Sequence, residues 1–351
     1  MGAISGRRLE GHIKGEILIV IEQTQQAGVS ARRSCALLML NYRRLVRWQQ
    51  RRRQGRGLND AAPGPRHRTH RLLGEEIASI TAMARSGEYV DLSHRALTVT
   101  AWEKGLFFAS FCSVYRVLRQ HELMTPRSPG AGHNARSLAP VRKQLSGPNQ
   151  RWCWDISYLS TFEKGVYLFL YLLLDEYSRK ALQWRVSWQQ DAVQSRELLE
   201  GGLLAENVLT LPEEQRPEIL NDRGRQMKAK SIQRLCEDHH MPQLFARPRT
   251  PNDNPFIESA FSTVKRAPAY PGRFRDESDA LAYFERYFDW YNNRHYHSGI
   301  DYVTPQQAHQ GLRASIVERR LNQQQAQRQH RRAENEKIIE NHHPAAAALV
   351  V

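Results

Sequence analysis

Asp155, Asp222 and Glu258 are the residues whose types and settings could do chemistry. Asp155 lies inside "RWCWDISYLS", an aromatic and apolar run that reads as a strand, where Asp is disfavoured. Asp222 follows the apolar "EIL" at the end of a second short strand. Glu258 stands near the start of "PFIESAFSTVK". A carboxylate beside a buried surface needs a partner to offset its desolvation. A divalent metal is such a partner. Mg²⁺ and Mn²⁺ take hard oxygen ligands and need only a few carboxylates. Two such ions can hold the attacking and leaving oxygens of an in-line phosphoryl displacement. The residue types alone also allow three ordinary solvated acids, so the elements around them have to decide.

The segment 250–265, "TPNDNPFIESAFSTVK", predicts a well-started helix. Asn252, Asp253 and Asn254 are capping types, and Pro255 suits the first helical position. Ile257, Ala260, Phe261 and Val264 make one apolar face, and Glu258, Ser262 and Lys265 a polar one. Lys265 is thereby a candidate partner for DNA phosphate. Upstream, "RWCWDISYLS", "VYLFLYLLLDEYS" and "KALQWRVS" read as strands, the second buried on both faces. Helices then alternate with the short strands "EILND" and "PQLFA". The pattern predicts an α/β core with a mixed sheet. Asp175 and Arg179 read as a structural pair. His295 and His297 end an aromatic helix and suit packing or phosphate contact better than catalysis.

The chain of 351 residues carries a net charge of +15, unevenly spread. Residues 1–74 hold +11, 75–150 hold +3, 151–310 hold −2 and 311–351 hold +3. A basic arm ahead of a near-neutral body suits an anionic polymer, although a solubilising surface has the same composition. Three short helices are predicted before residue 55, the second and third capped by Ser30 and Asn41. They fit a helix-turn-helix DNA-binding domain over 1–55. Its third helix carries Arg43, Arg44, Arg47, Arg51 and Arg52 as candidate DNA contacts. Residues 56–71 read as a linker and 72–126 as a second helix-turn-helix-like domain, which suits packing or dimerisation equally well. Residues 127–150 read as a second linker, 151–310 as the catalytic core and 311–351 as a polar basic tail with a helix in it. Four cysteines without a C-x-x-C pair disfavour a zinc finger or a disulfide framework. With no signal peptide or spanning segment predicted, the expectation is a cytoplasmic, nucleoid-associated protein with no membrane role.

The ordered phrases "WCWDISYL", "LNDRG" and "NDNPFIESAFSTVK", with 35 residues between Asp222 and Glu258, resemble the DDE signature of retroviral-integrase-like transposases. "LLLDEYSRKALQW" and "WYNNRHYHSGIDYVTP" resemble the insertion-sequence-three family in particular, as does a Lys seven residues after the Glu. The resemblance covers roughly 150–310 closely and the helical blocks before it more loosely. It implies a ribonuclease-H-like fold in which Asp155, Asp222 and Glu258 match the metal-binding triad. It also implies a transposase that binds the terminal inverted repeats of its element and cuts and joins DNA with Mg²⁺ or Mn²⁺, two ions per site. The partners implied are duplex DNA, both repeat and target, and further copies of the chain as a homo-oligomer. Members often split DNA binding and catalysis between two reading frames with a leucine zipper; here both lie in one chain, without a clear heptad run. Two other functions compete: a domesticated, non-cutting sequence-specific regulator, and a ribonuclease-H-type nuclease acting on RNA–DNA hybrids.

Overall fold

The computed structural model describes residues 9–60, 69–124, 144–222, 224, 226–245 and 254–342. Asn252 and Asp253, residues 61–68 of the first expected linker, 127–143 of the second and the end of the tail lie outside the described residues. The chain divides into two compact units, Met1–Arg68 and Thr69–Val351.

The first unit holds α1 (Gly11–Gln26), α2 (Ala31–Leu37) and α3 (Tyr42–Arg53). Leu18 and Ile21 of α1 are one turn apart and meet Cys35, Leu40, Leu45 and Trp48 in a small closed core. Both expected caps form: Ser30 Oγ accepts from the Arg33 N–H and Asn41 Oδ1 from the Arg43 N–H. Gly28 closes the α1–α2 turn with φ 86°, but the α2–α3 turn has no glycine. Met39 takes the left-handed conformation there, with φ 50°. Lys14 is fully buried; its ammonium donates to the Leu58 carbonyl and pairs with Asp60 at 2.7 Å.

The second unit begins with α4 (Gly74–Arg85), α5 (His94–Lys104) and α6 (Phe111–Gln120). Ile80, Leu97, Ala101, Val114 and Leu118 lie in the core of this module. Gly105, at φ 67°, ends α5 and Ser110 caps α6. The sheet follows: β1 (Arg151–Ser160), β2 (Tyr167–Asp175) and β3 (Ala181–Ser187) run as an antiparallel meander. After α7 (Ala192–Ala205) come β4 (Glu218–Asn221), α8 (Lys230–Asp238) and β5 (Gln243–Phe245). The strand order is β3-β2-β1-β4-β5, with β4 parallel to both β1 and β5. Short loops permit the antiparallel pairs, whereas a parallel return needs a crossover, which α7 and α8 supply. The mixed sheet expected from the sequence is present.

Strand alternation gives the sheet two faces. Trp152, Trp154, Tyr171 and Leu173 pack under α7 and α8, with Leu198, Leu199, Ile232 and Leu235. Cys153, Leu159, Leu170 and Leu172 face the other way, onto α9 (Pro255–Lys265) and α10 (Glu277–Asn293) through Ile257, Phe261, Phe284 and Phe288. α11 (Pro305–His309) precedes the last helix, α12 (Arg313–His342).

The expected basic tail is therefore mostly a helix of 30 residues, and several of its arginines are spent on structure. Arg331 pairs with Glu76 of α4 at 2.7 Å, with both side chains buried. Arg320 pairs with Glu103 of α5 at 2.7 Å. Asn335 donates to the carbonyls of Thr69 and Arg71. These bonds tie α4 and α5 to α12 in one unit. Among the described residues no helix is long and apolar enough to cross a membrane.

Candidate metal centre and nucleic-acid interface

Asp155 and Asp222 are brought together by the sheet. Cys153 of β1 is in register with Leu220 of β4 in the parallel pair. Two residues further on in each strand direction stand Asp155 and Asp222. Cys153 and Leu220 both pack on the α9–α10 side, so alternation sends the two aspartates to that side as well. Helix α9 packs along β1 through Ile257, Ala260, Phe261 and Val264, the apolar face read from the sequence. Glu258 sits in the first turn of that helix and is exposed, whereas Asp155 and Asp222 are half-buried.

The three charges reach one another. Burial, with a smaller push from the negative charges of Asp222 and Glu258, raises the Asp155 carboxyl to about 6 against a hydrogen bond from the Ile156 N–H. Burial also raises Glu258. Asp222 Oδ1 accepts the Gly224 N–H at 2.6 Å, and a Cβ on Gly224 would stand 2.9 Å from that oxygen. The glycine of "NDRG" is thus what lets the backbone close on the carboxylate.

Among the described residues no three acidic, His or Cys side chains are drawn tightly enough to enclose an ion. The triad is an open cluster: two aspartates fixed by the sheet and a glutamate on a helix start. Its chemistry nonetheless fits a hard divalent cation. The donors are all carboxylate oxygens, and their repulsion raises Asp155. A cation held between them would relieve that repulsion.

Several residues fall differently from the expectation. Asn254 is the N-cap of α9 but its side chain makes no cap hydrogen bond; both amide atoms are buried without a partner. It lies one turn before Glu258, a spacing the sequence could have offered as a signal. Asp175 and Arg179 do not form the expected side-chain pair. Asp175 accepts from the Asn149 N–H and from the N–H and hydroxyl of Ser178, while the Arg179 guanidinium lies 3.5 Å over the Phe256 ring. The left-handed backbone of Arg179, φ 64°, turns its side chain away from the acid it follows. His295 and His297 pack among Tyr291 and Trp290, and burial holds both down to about 4. Lys265 is exposed, two turns along α9 from Glu258.

A second polar centre was not visible in the sequence. Glu206 accepts from His309 at 2.7 Å, Lys180 at 2.8 Å and Asn149 at 3.1 Å. Burial pushes Glu206 up, but these partners together hold it down at about 2. The four residues come from four distant stretches, so no local motif could have signalled it.

On α3 the five nominated arginines are not equivalent. Arg52 is ion-paired to Glu22 of α1, and Arg51 to Asp60 at 3.5 Å. The Arg44 guanidinium lies over the Trp48 ring at 5.2 Å. Arg43 and Arg47 are exposed, and Arg47 Nε donates to the Arg43 carbonyl.

Comparison with known proteins bears on the sheet block. Residues 146–251 match a family model described as an integrase core domain, and residues 240–305 match a second model with that description. Residues 146–305 have the integrase-core fold. That fold is ribonuclease-H-like, and the mixed sheet of five strands carries it here. The chain is 26% identical over 167 residues to the transposase for insertion sequence element IS904 of Lactococcus lactis subsp. lactis (strain IL1403), covering 46% of this chain and 62% of the relative. It is 27% identical over 197 residues to the transposase InsD for insertion element IS2D of Escherichia coli (strain K12), covering 55% of this chain and 64% of the relative. The chain thus spans less than two thirds of either relative. Among solved structures, the HTLV-2 integrase catalytic core domain in complex with magnesium (trimeric form) is 15% identical, with a TM-score of 0.34, covering 47% of this chain and 99% of that one.

Proposed function

We propose that this chain is a DDE transposase of the insertion-sequence-three kind, which cuts the ends of its element and joins them to target DNA. The observation that carries the reading is the convergence of Asp155 and Asp222 on adjacent parallel strands, beside the helix that bears Glu258. The match of residues 146–305 to integrase core models and the likeness of about half the chain to insertion-sequence transposases support it.

Asp155, Asp222 and Glu258 would hold Mg²⁺ or Mn²⁺, two ions in all. When bound, the ions supply Lewis-acid polarisation of the scissile phosphate and a nucleophile at neutral pH. The chain supplies the rest. The sheet fixes two carboxylates, α9 carries the third, and Lys265 offers a point charge to a backbone phosphate near the cut. Water first displaces one strand, leaving a 3′-hydroxyl. That hydroxyl then attacks a phosphodiester of the target. Each phosphorus–oxygen bond broken is replaced by another, so the joining step requires no ATP. The α1–α3 unit, with Arg43, Arg44, Arg47, Arg51 and Arg52, binds the terminal inverted repeats, Arg51 and Arg52 from positions braced by their acid partners. The chain acts as a homo-oligomer on DNA, in the cytoplasm at the nucleoid.

The test is cleavage and joining of terminal-repeat duplexes with Mg²⁺. Asp155→Asn, Asp222→Asn and Glu258→Gln each abolish both reactions and leave duplex binding within a few-fold, because affinity comes from basic residues elsewhere. Retained cleavage in any one of them overturns the assignment. A second reading, a non-cutting DNA-binding regulator, would rest on the basic α1–α3 unit alone. Selective binding by the parent chain without any metal-dependent cleavage is the result that reading requires.

A further inference from the structure

Helix α3 has a well-defined inner side. Leu45 and Trp48 are buried, and on the same side Arg52, itself exposed, pairs with Glu22 of α1. At about 100° per residue, the opposite side centres on Gln50 and Arg43, with Val46 on one flank and Arg47 on the other. Gln50, Arg43, Val46 and Arg47 are all exposed. Val46 is unusual there. It is 43% exposed in the middle of a helix that otherwise turns polar groups outward, and it has Tyr42, 41% exposed, one turn before it.

The charge on this surface selects its partner. α3 holds six arginines and no acidic residue. A second copy seated on the same face in a two-fold dimer would set arginine against arginine. A DNA major groove offers the reverse: phosphates on its rims and, on its floor, base edges that include the thymine methyl.

We propose that Val46 and Gln50 are the base-reading pair of this helix, with Arg43 and Arg47 flanking them. Val46 packs on a thymine methyl, and Gln50 donates to N7 and accepts from the N6 amino group of an adenine. The two residues are one turn apart, about 6 Å along the helix axis. That is less than two base-pair steps of about 3.4 Å, so they read neighbouring positions. The arginines supply affinity and orientation more than discrimination. This assignment rests on the reading of the α1–α3 unit as the repeat-binding part.

The full chain is used to select from a pool of duplexes with a randomised centre. Its affinity is then measured for the selected duplex and for versions with each thymine replaced in turn by deoxyuridine. One replacement weakens the parent about fourfold, the worth of a buried methyl group. Val46→Ala binds the thymine and deoxyuridine duplexes equally. Gln50→Ala loses roughly tenfold of the preference for one adenine beside that thymine. Arg43→Ala weakens binding to selected and unselected duplexes alike and flattens the salt dependence. Both readers are exposed, and unchanged helical circular dichroism checks that the variants fold. If Val46→Ala still distinguishes thymine from deoxyuridine while Arg43→Ala weakens binding, the reader assignment fails and the repeat-binding reading stands. If the parent selects no motif, or Arg43→Ala changes nothing, both fail. A shift in sedimentation on Val46→Ala, with selectivity intact, would make this face a self-association surface and overturn the proposal.

Discussion

The indole N–H of Trp154 donates to the side-chain oxygen of Asn221, and both residues are fully buried. Each immediately precedes one of the paired aspartates. The bond ties β1 to β4 on the α7 side of the sheet while Asp155 and Asp222 turn to the α9 side. Replacing Asn221 by Leu leaves the indole donor unpaired, a cost of about 1–3 kcal/mol. Metal-dependent cleavage falls further than DNA affinity does, because the two carboxylates lose their common alignment. Combining Asn221→Leu with Trp154→Phe removes both polar groups and recovers part of the stability without the cleavage rate. Urea melts and single-turnover cleavage separate the two effects; full activity in the double variant would mean that the bond only stabilises.

The raised Asp155 carboxyl makes a pH-dependent demand on the metal-free protein. Its folded value, about 6, lies above the ordinary 3.8. Between these values the folded state binds more protons than the unfolded one, so this group's effect is a loss of stability as pH rises. The full loss, on the order of 3 kcal/mol, is reached above pH 6. His295 and His297, lowered to about 4, act in the opposite sense over much of the same range. The difference between parent and Asp155→Asn isolates the carboxylate. The Asn variant is the more stable at neutral pH, the two converge near pH 4, and Mg²⁺ raises the melting temperature of the parent by more. Equal melting temperatures at pH 7 would show that Asp155 carries no such penalty.

Gly224→Ala presses a methyl group against Asp222 Oδ1, since the Cβ position is 2.9 Å from that oxygen. The carboxylate has to rotate. The variant needs more Mg²⁺ for half-maximal cleavage and keeps its unfolding free energy within about 1 kcal/mol of the parent, because the methyl meets one carboxylate oxygen and no core side chain. An unchanged metal requirement would show that Asp222 adapts freely.

Breaking the buried pair of Arg331 and Glu76 costs more than either charge would at the surface. Arg331→Met strands a buried carboxylate and destabilises the second unit by about 3–5 kcal/mol. Adding Glu76→Leu recovers much of that loss, although the Leu73 N–H loses its acceptor on Glu76. The melting temperatures of the single and double variants decide it. A single variant as stable as the parent would mean that water reaches the pair.

The sequence by itself determined what local pattern can determine. Aromatic and apolar runs marked β1 and β2, and Asn, Ser and Pro at helix starts marked α2, α3 and α9. The apolar stripe of Ile257, Ala260, Phe261 and Val264 already implied which side of α9 leaves Glu258 free. Motif order then nominated three carboxylates, although nothing local says that residues 67 apart share a strand register. The tertiary structure decided that, through the parallel pairing of β1 with β4. It decided equally that Arg52 pairs with Glu22, that Arg179 stacks on Phe256 and leaves Asp175 to Ser178, and that the helix of the basic tail is bonded to α4 and α5. Periodicity reports which side of an element is apolar. The partner of a charge depends on which distant segment the fold brings within a few ångströms, and no short window of sequence contains it.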